Sequence, residues 1–205
     1  MKLRNTAIAL GISAATAAGL SLLKVNKDLV VGSTAVVVGA GLMISLKDKN
    51  DINLKARNYE YYFNRAQDKF ELADYEEAIL DYNKALELSP TEICLVYSMR
   101  GNAKRNSGDF DGAISDQNKA LDFDPLYADG YFNRGSAKYK MGDFAGAIED
   151  YTQVIKINPK DSDAFFNRAN IKKEIGDMRG ACEDWKKGAE LGDEDAVKLV
   201  QEHCE

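Results

Sequence analysis

Two kinds of hydrophobic patterning divide this chain. Thr6–Leu23 and Leu29–Leu46 are each eighteen residues without a charged side chain, parted only by Lys24-Val25-Asn26-Lys27-Asp28. Beyond residue 57 the apolar positions instead recur at helical spacing, broken by Gly-Asp pairs, and the whole pattern repeats. The third copy is the cleanest: Tyr131, Gly135, Gly142-Asp143-Phe144, Ala147-Ile148, Tyr151 and Pro159. A small residue marks each copy, as Ala66, Gly101, Gly135 and Ala169, at steps of 35, 34 and 34. A proline follows it by 24 residues in three copies, as Pro90, Pro125 and Pro159, with Asp193 in that place in the fourth. A fixed period of this length means a stack of small units, each unable to bury its apolar face alone.

Each unit reads as two helices. Gly108-Asp109, Gly142-Asp143 and Gly176-Asp177 supply a turn glycine followed by a capping carboxylate, and the prolines close the second helix. After the fourth pair Gly192-Asp193-Glu194 restarts a helix to about Cys204, with Val197 and Val200 expected to face the stack and Lys198, Gln201 and Glu202 the water. The expected fold is all-α: four helix-turn-helix repeats at about 59–92, 94–127, 128–161 and 162–193, within 58–193, and a capping helix over 194–205.

The N-terminal part, 1–46, predicts a membrane anchor. Each uncharged run, if helical, spans about 27 Å, near the roughly 30 Å core of a bilayer. Both runs are rich in Ala, Gly, Ser and Thr, which suits a close-packed transmembrane hairpin over 6–23 and 29–46. Lys2 and Arg4 precede it, Lys24 and Lys27 lie in the loop, and Lys47, Lys49, Lys55 and Arg57 follow; this distribution puts both ends and the repeats in the cytoplasm. The alternative reads Met1–Asn5, Ala7–Ala15 and Thr16-Ala17-Ala18 as a secretory signal, leaving 29–46 as a single anchor and the repeats exported. Residues 47–57, polar and mixed in charge, are expected to be a linker.

The repeat unit resembles the tetratricopeptide repeat, which places an aromatic, a small residue, Ala, an aromatic, Ala and Pro at set positions. The third copy has Tyr131, Gly135, Ala147, Tyr151, Val154 and Pro159; the first has Tyr62, Ala66, Ala78, Tyr82, Ala85 and Pro90. The second has Tyr97, Gly101, Ala113, Gln117, Ala120 and Pro125, with Gln117 departing from the pattern. The fourth has Phe165, Ala169, Ala181, Trp185 and Gly188 and lacks the proline. The resemblance implies a right-handed α-solenoid that binds a protein or peptide partner, acting as a scaffold or adaptor. A structural subunit of a membrane complex is the alternative.

Three positions depart from the family in every copy, as Arg, Lys and Asp: Arg65-Lys69-Asp81, Arg100-Lys104-Asp116, Arg134-Lys138-Asp150 and Arg168-Lys172-Asp184. Arg and Lys four apart share a helix face, and the Asp can take a two-pronged contact from the guanidinium. The expected role is a structural ladder; an anion-binding row is the sharper alternative.

The resemblance also implies a concave groove lined by the first helix of each pair. One row is Asn64, Met99, Asn133 and Asn167, and the next is Gln67, Asn102, Ser136 and Asn170. Phe63, Phe132 and Phe166 flank them on one side, and Phe70, Arg105, Tyr139 and Lys173 on the other. Amides that donate and accept suit a peptide backbone, and aromatics suit its apolar side chains. The family's chaperone-tail receptors grip a terminal carboxylate with Lys and Arg. Here Phe63, Asp129, Asn133, Ser98, Asp163 and Asn167 hold those positions, so that mechanism is rejected.

Charge sharpens the exclusions. Residues 1–57 carry a net +5 and residues 58–205 a net −11, which argues against nucleic acid as a partner of the repeats. His203, the one histidine, lies near the chain end, and no phosphate loop, GxSxG or HExxH occurs, so no enzyme activity is expected. Asp48–Asn53 fails as a calcium loop because Ile52 falls on a ligand position, and no CxxC occurs; neither metal nor cofactor is expected. Cys182 and Cys204 are expected as buried free thiols, with a disulfide pinning the cap as the alternative that would accompany export. Cys94 has no evident partner in the sequence.

Overall fold

The computed structural model describes residues 35–38, 42–88 and 93–204. It divides into two units, Met1–Leu54 and Lys55–Glu205. In the first unit, strands β1 (Ala35–Val38) and β2 (Leu42–Ser45) pair antiparallel, with Val36 opposite Ile44 and Val37 opposite Met43. The expected helix over 29–46 is therefore corrected where it is described. The β-branched run Val36-Val37-Val38 favours a strand, and Gly39 and Gly41 between the strands oppose a continuous helix. Among the described residues no helix is long and apolar enough to cross a membrane; the run 6–23 lies outside them. Helix α1 spans Leu46–Glu71, so the stretch read as a linker, 47–57, is helical.

The second unit is built from antiparallel helix pairs. The later part of α1 pairs with α2 (Tyr75–Leu88), α3 (Ile93–Ser107) with α4 (Phe110–Phe123), α5 (Ala128–Lys140) with α6 (Phe144–Ile157), and α7 (Ser162–Glu174) with α8 (Met178–Glu190). From α2 onward each helix packs on its neighbours in sequence, and α3 also reaches α5. Pro90 lies outside the described residues, while Pro125 and Pro159 follow α4 and α6.

The turns inside the pairs share one mechanism. In the third, Gly142 N donates to Tyr139 O at 3.0 Å and Asp143 N to Lys138 O at 3.0 Å, closing α5 with its left-handed glycine at φ 80°. The Asp143 side chain then accepts from Gly146 N and caps α6. Asp109 and Asp177 cap α4 and α8 in the same way. The first copy has Ala73 in place of the glycine, forced to φ 62° with the same hydrogen bonds, Ala73 N to Phe70 O and Asp74 N to Lys69 O.

Small residues let the pairs close up and aromatics fill the remaining space. Ala66, Ala78, Ala85, Ala113, Ala120, Ala147, Ala169 and Ala181 are almost fully buried, with Tyr82, Tyr151 and Trp185 beside them. Gly101 leaves no room for a side chain, since a β-carbon there would meet Gln117 Nε2 at 2.8 Å and Ala113 O at 3.3 Å.

Helix α9 (Glu194–His203) covers the exposed end of the last pair. Its inner face is Ala196, Leu199 and Val200, packed with Trp185 and Ala169; Val197, expected to point inward, is exposed. The expectation of two free thiols is also corrected. Cys182 and Cys204 form a disulfide, with Cα atoms 5.5 Å apart, because α9 runs back along α8 and brings its last turn to the first turns of that helix.

Candidate functional site

The charged ladder is continuous. Arg134 Nε and Nη2 donate to the two carboxylate oxygens of Asp150 at 2.9 and 2.6 Å, and Lys138 Nζ lies 2.8 Å from the same group. Arg65–Asp81, Arg100–Asp116 and Arg168–Asp184 repeat this arrangement with their lysines. The four aspartates are buried. The Arg65 guanidinium, with Lys69 behind it, holds the Asp81 carboxyl below its ordinary 3.8.

The third guanidinium nitrogen has a role that sequence reasoning missed. Nη1 of Arg100, Arg134 and Arg168 donates to Asn83, Asn118 and Thr152, each on the second helix of the preceding repeat. Arg65 has no repeat before it, turns its Nη1 to the Tyr61 hydroxyl, and is 40% exposed against 14–19% for the others. A signal was present: the residue after the second-helix aromatic position carries a side-chain oxygen in the first three copies and is Lys186 in the last, which α9 follows.

On the first helices, the rows expected to line the groove divide into floor and wall. Phe63 packs edge-on to Tyr82 and Phe132 to Tyr151, at 6.0 and 5.3 Å, while Phe166 joins the core under α9. These aromatics are half-buried floor. The second polar row is tied to neighbouring helices, Asn170 and Asn102 to the second helix of their own pair and Ser136 to the first helix of the preceding pair. Asn170 Oδ1 accepts from Trp185 Nε1 at 3.1 Å, Asn102 Oδ1 from Gln117 Nε2 at 3.5 Å, and Ser136 Oγ from Arg105 Nη1 at 3.0 Å. Asn167 Nδ2 donates to Asp163 O; Asn64 is exposed, and Gln67 and Asn133 are half-buried.

Tyr139, Asn167 and Asn170 come together with Tyr151 and Ile171 around a cavity of about 80 Å³ between the third and fourth repeats. Asn64, Gln67 and Asn102 belong to the first two repeats and do not line it. Tyr139 donates to Glu174 at 2.9 Å on its rim. Burial pushes the Tyr151 hydroxyl up to about 12, against the opposing pull of Ser136 and Arg105. Tyr151 and Ile171 were missed as wall residues, because their core spacing gives no sign of a cavity edge. A wider hollow of about 390 Å³ lies at the turn of the first pair, lined by Ala73, Asp74, Tyr75, Glu76, Glu77 and Ser107. It is acidic and open, and it lacks the amides that suit a peptide backbone. Among the described residues no cluster of three or more His, Cys, Asp or Glu could hold a metal ion.

Comparison with known proteins agrees with this geometry. Tetratricopeptide repeat profiles match residues 59–92 and 128–161, and a TPR repeat profile matches 101–142. No curated protein sequence matches the chain. The crystal structure of MamA superposes with a TM-score of 0.63 at 23% identity, covering 73% of this chain and 86% of that one. A tetratricopeptide repeat protein from Parabacteroides merdae ATCC 43184 gives 0.62 at 20% identity, over 67% of this chain and 55% of that one. The first TPR of Spaghetti (RPAP3), bound to the HSP90 peptide SRMEEVD, gives 0.55 at 24% identity, over 58% and 94%. The period, the helix pairs and these matches together identify the stacked units of this chain as tetratricopeptide repeats.

Proposed function

We propose that this chain is a membrane-tethered scaffold that holds an extended segment of a partner protein along the first helices of its repeats. The observation that carries the reading is the cavity walled by Tyr139, Tyr151, Asn167, Asn170 and Ile171, a lining of amide, phenol and alkyl side chains. Such a surface suits recognition of a backbone and an apolar side chain, and offers no nucleophile or acid–base pair. The peptide complex of the Spaghetti repeat supports the same mode of use by likeness of fold.

The tether in this proposal is the uncharged run Thr6–Leu23. The Cys182–Cys204 disulfide favours the exported placement of the repeats over the cytoplasmic one, since thiols in a reducing cytosol stay free. Protease protection in sealed vesicles separates the two placements.

The test of groove function is site-specific photo-crosslinking in the native membrane. A crosslinker at Asn133 or Asn167 should trap the partner, one at Lys186 should not, and Asn167→Trp, which fills the cavity, should abolish capture. Equal capture at Lys186 would sink the reading and favour a structural subunit that assembles through its outer surface.

A further inference from the structure

We propose that Arg105 is an anion-binding subsite in this groove, and that the segment held there carries an aspartate or glutamate side chain at Arg105 beside a short aliphatic side chain in the cavity. The inference rests on the groove reading and gives it a ligand class.

Arg105 differs from the other arginines of the repeats. Arg65, Arg100, Arg134 and Arg168 each grip an aspartate with two nitrogens, and Arg179 meets Glu183 on the surface. Arg105, in the last turn of α3, is half-buried and has no carboxylate within reach among the described residues. Its Nη1 donates to the neutral Ser136 hydroxyl on α5. A guanidinium has five N–H donors, so most of this fork is left without a protein partner. Burial accordingly pulls its charge stability down, opposed only by the nearby Tyr151 phenol. A half-buried cation without a counter-charge is costly to keep, and an incoming carboxylate is the group that matches its fork.

The surroundings define what accompanies that carboxylate. Ser136 is bonded to Arg105, and Tyr151 interacts with both residues and also walls the cavity. About 80 Å³ is well under the ~150 Å³ of an apolar cavity that admits benzene, so it fits a side chain of alanine or valine size. Half-buried Asn133 and Asn167 lie on the same helices, α5 and α7, and can bond the backbone between the two anchors. Glu174 on the rim, the exposed Asp129 and Asp163, and a net −11 over 58–205 all oppose a polyanion. One carboxylate suits the site, whereas a nucleic-acid backbone does not.

Fluorescein-labelled octapeptides provide the probe, read by anisotropy with the full-length protein. One Asp, Glu, Asn or Gln is walked through an Ala/Val/Ser background, with amidated and with free C-termini. An amidated acidic peptide should bind at least about ten-fold tighter than its amide twin. Arg105→Gln should erase that difference without lowering Tm, Arg105→Lys should keep part of it, and Asn167→Trp should abolish binding of every peptide. Equal binding of the twins, an acid preference that survives Arg105→Gln, or a requirement for the free C-terminus would overturn the subsite while leaving the groove intact. Binding that persists in Asn167→Trp, or a set with no binder at all, would overturn the groove reading as well.

Discussion

Arg134 reaches back from the third repeat: its Nη1 donates a hydrogen bond to the Asn118 side-chain oxygen of the second repeat at 2.6 Å, while Nε and Nη2 hold Asp150 within its own. One guanidinium thus fixes the packing of a helix pair and the stacking of that pair on the one before it.

The ladder should be unequal along the stack. Arg100→Ala strands the buried Asp116 with Lys104 as its remaining partner, and should cost about 3 kcal/mol by urea unfolding. Arg65→Ala should cost less than half as much, because Arg65 is 40% exposed and has no preceding repeat to hold. Equal losses at the two sites would show that the inter-repeat bond contributes nothing.

Ala73 stands in the left-handed conformation that Gly108, Gly142 and Gly176 adopt in the other copies. Ala73→Gly should relieve that strain and raise stability by about 1 kcal/mol. A lower Tm for this variant would contradict the account of the turn.

Gln117 occupies the place of Tyr82, Tyr151 and Trp185, and its Oε1 is buried without a hydrogen-bond partner among the described residues. Gln117→Tyr should stabilise the second repeat by about 1–2 kcal/mol, with Gly101 accommodating the ring as Gly135 accommodates Tyr151. Hydrogen exchange slowed in α3 and α4 would locate the gain.

Reduction of Cys182–Cys204 opens a loop with a sequence separation of 22. The expected loss is roughly 3 kcal/mol on the chain-entropy account, felt first as faster exchange at Ala196–Val200. Exchange unchanged in α9 after reduction would mean that Ala196, Leu199 and Val200 hold the cap unaided.

Burial holds the Tyr82 and Tyr151 hydroxyls up to about 12, above their ordinary 10.0. Groups raised on folding contribute stability that is complete below 10.0 and is lost as pH climbs toward 12. A phenolate titration should therefore show a late fraction that Tyr82→Phe and Tyr151→Phe each reduce. The alkaline unfolding midpoint should rise in the same variants.

The repeat architecture was open to sequence reading because its causes are local and recur. A glycine followed by aspartate closes one helix and caps the next, a small residue admits the partner helix, and Arg, Lys and Asp return at fixed steps, as in Arg134, Lys138 and Asp150. Those interactions lie within a repeat, so thirty-four residues carry enough information to specify them. What the tertiary structure decided was long-range or unrepeated. Cys182 and Cys204 met only because α9 folds back on α8, and Val197 gave up the inner face to Leu199 for the same reason. The antiparallel pairing of Val36 with Ile44 competed with a helix of equal apolar content, and hydrophobicity alone does not choose between them. Arg105 is one residue beyond the ladder position of Lys104 and looks as ordinary in the sequence; only the packing of α3 against α5 left it half-buried with no carboxylate within reach among the described residues.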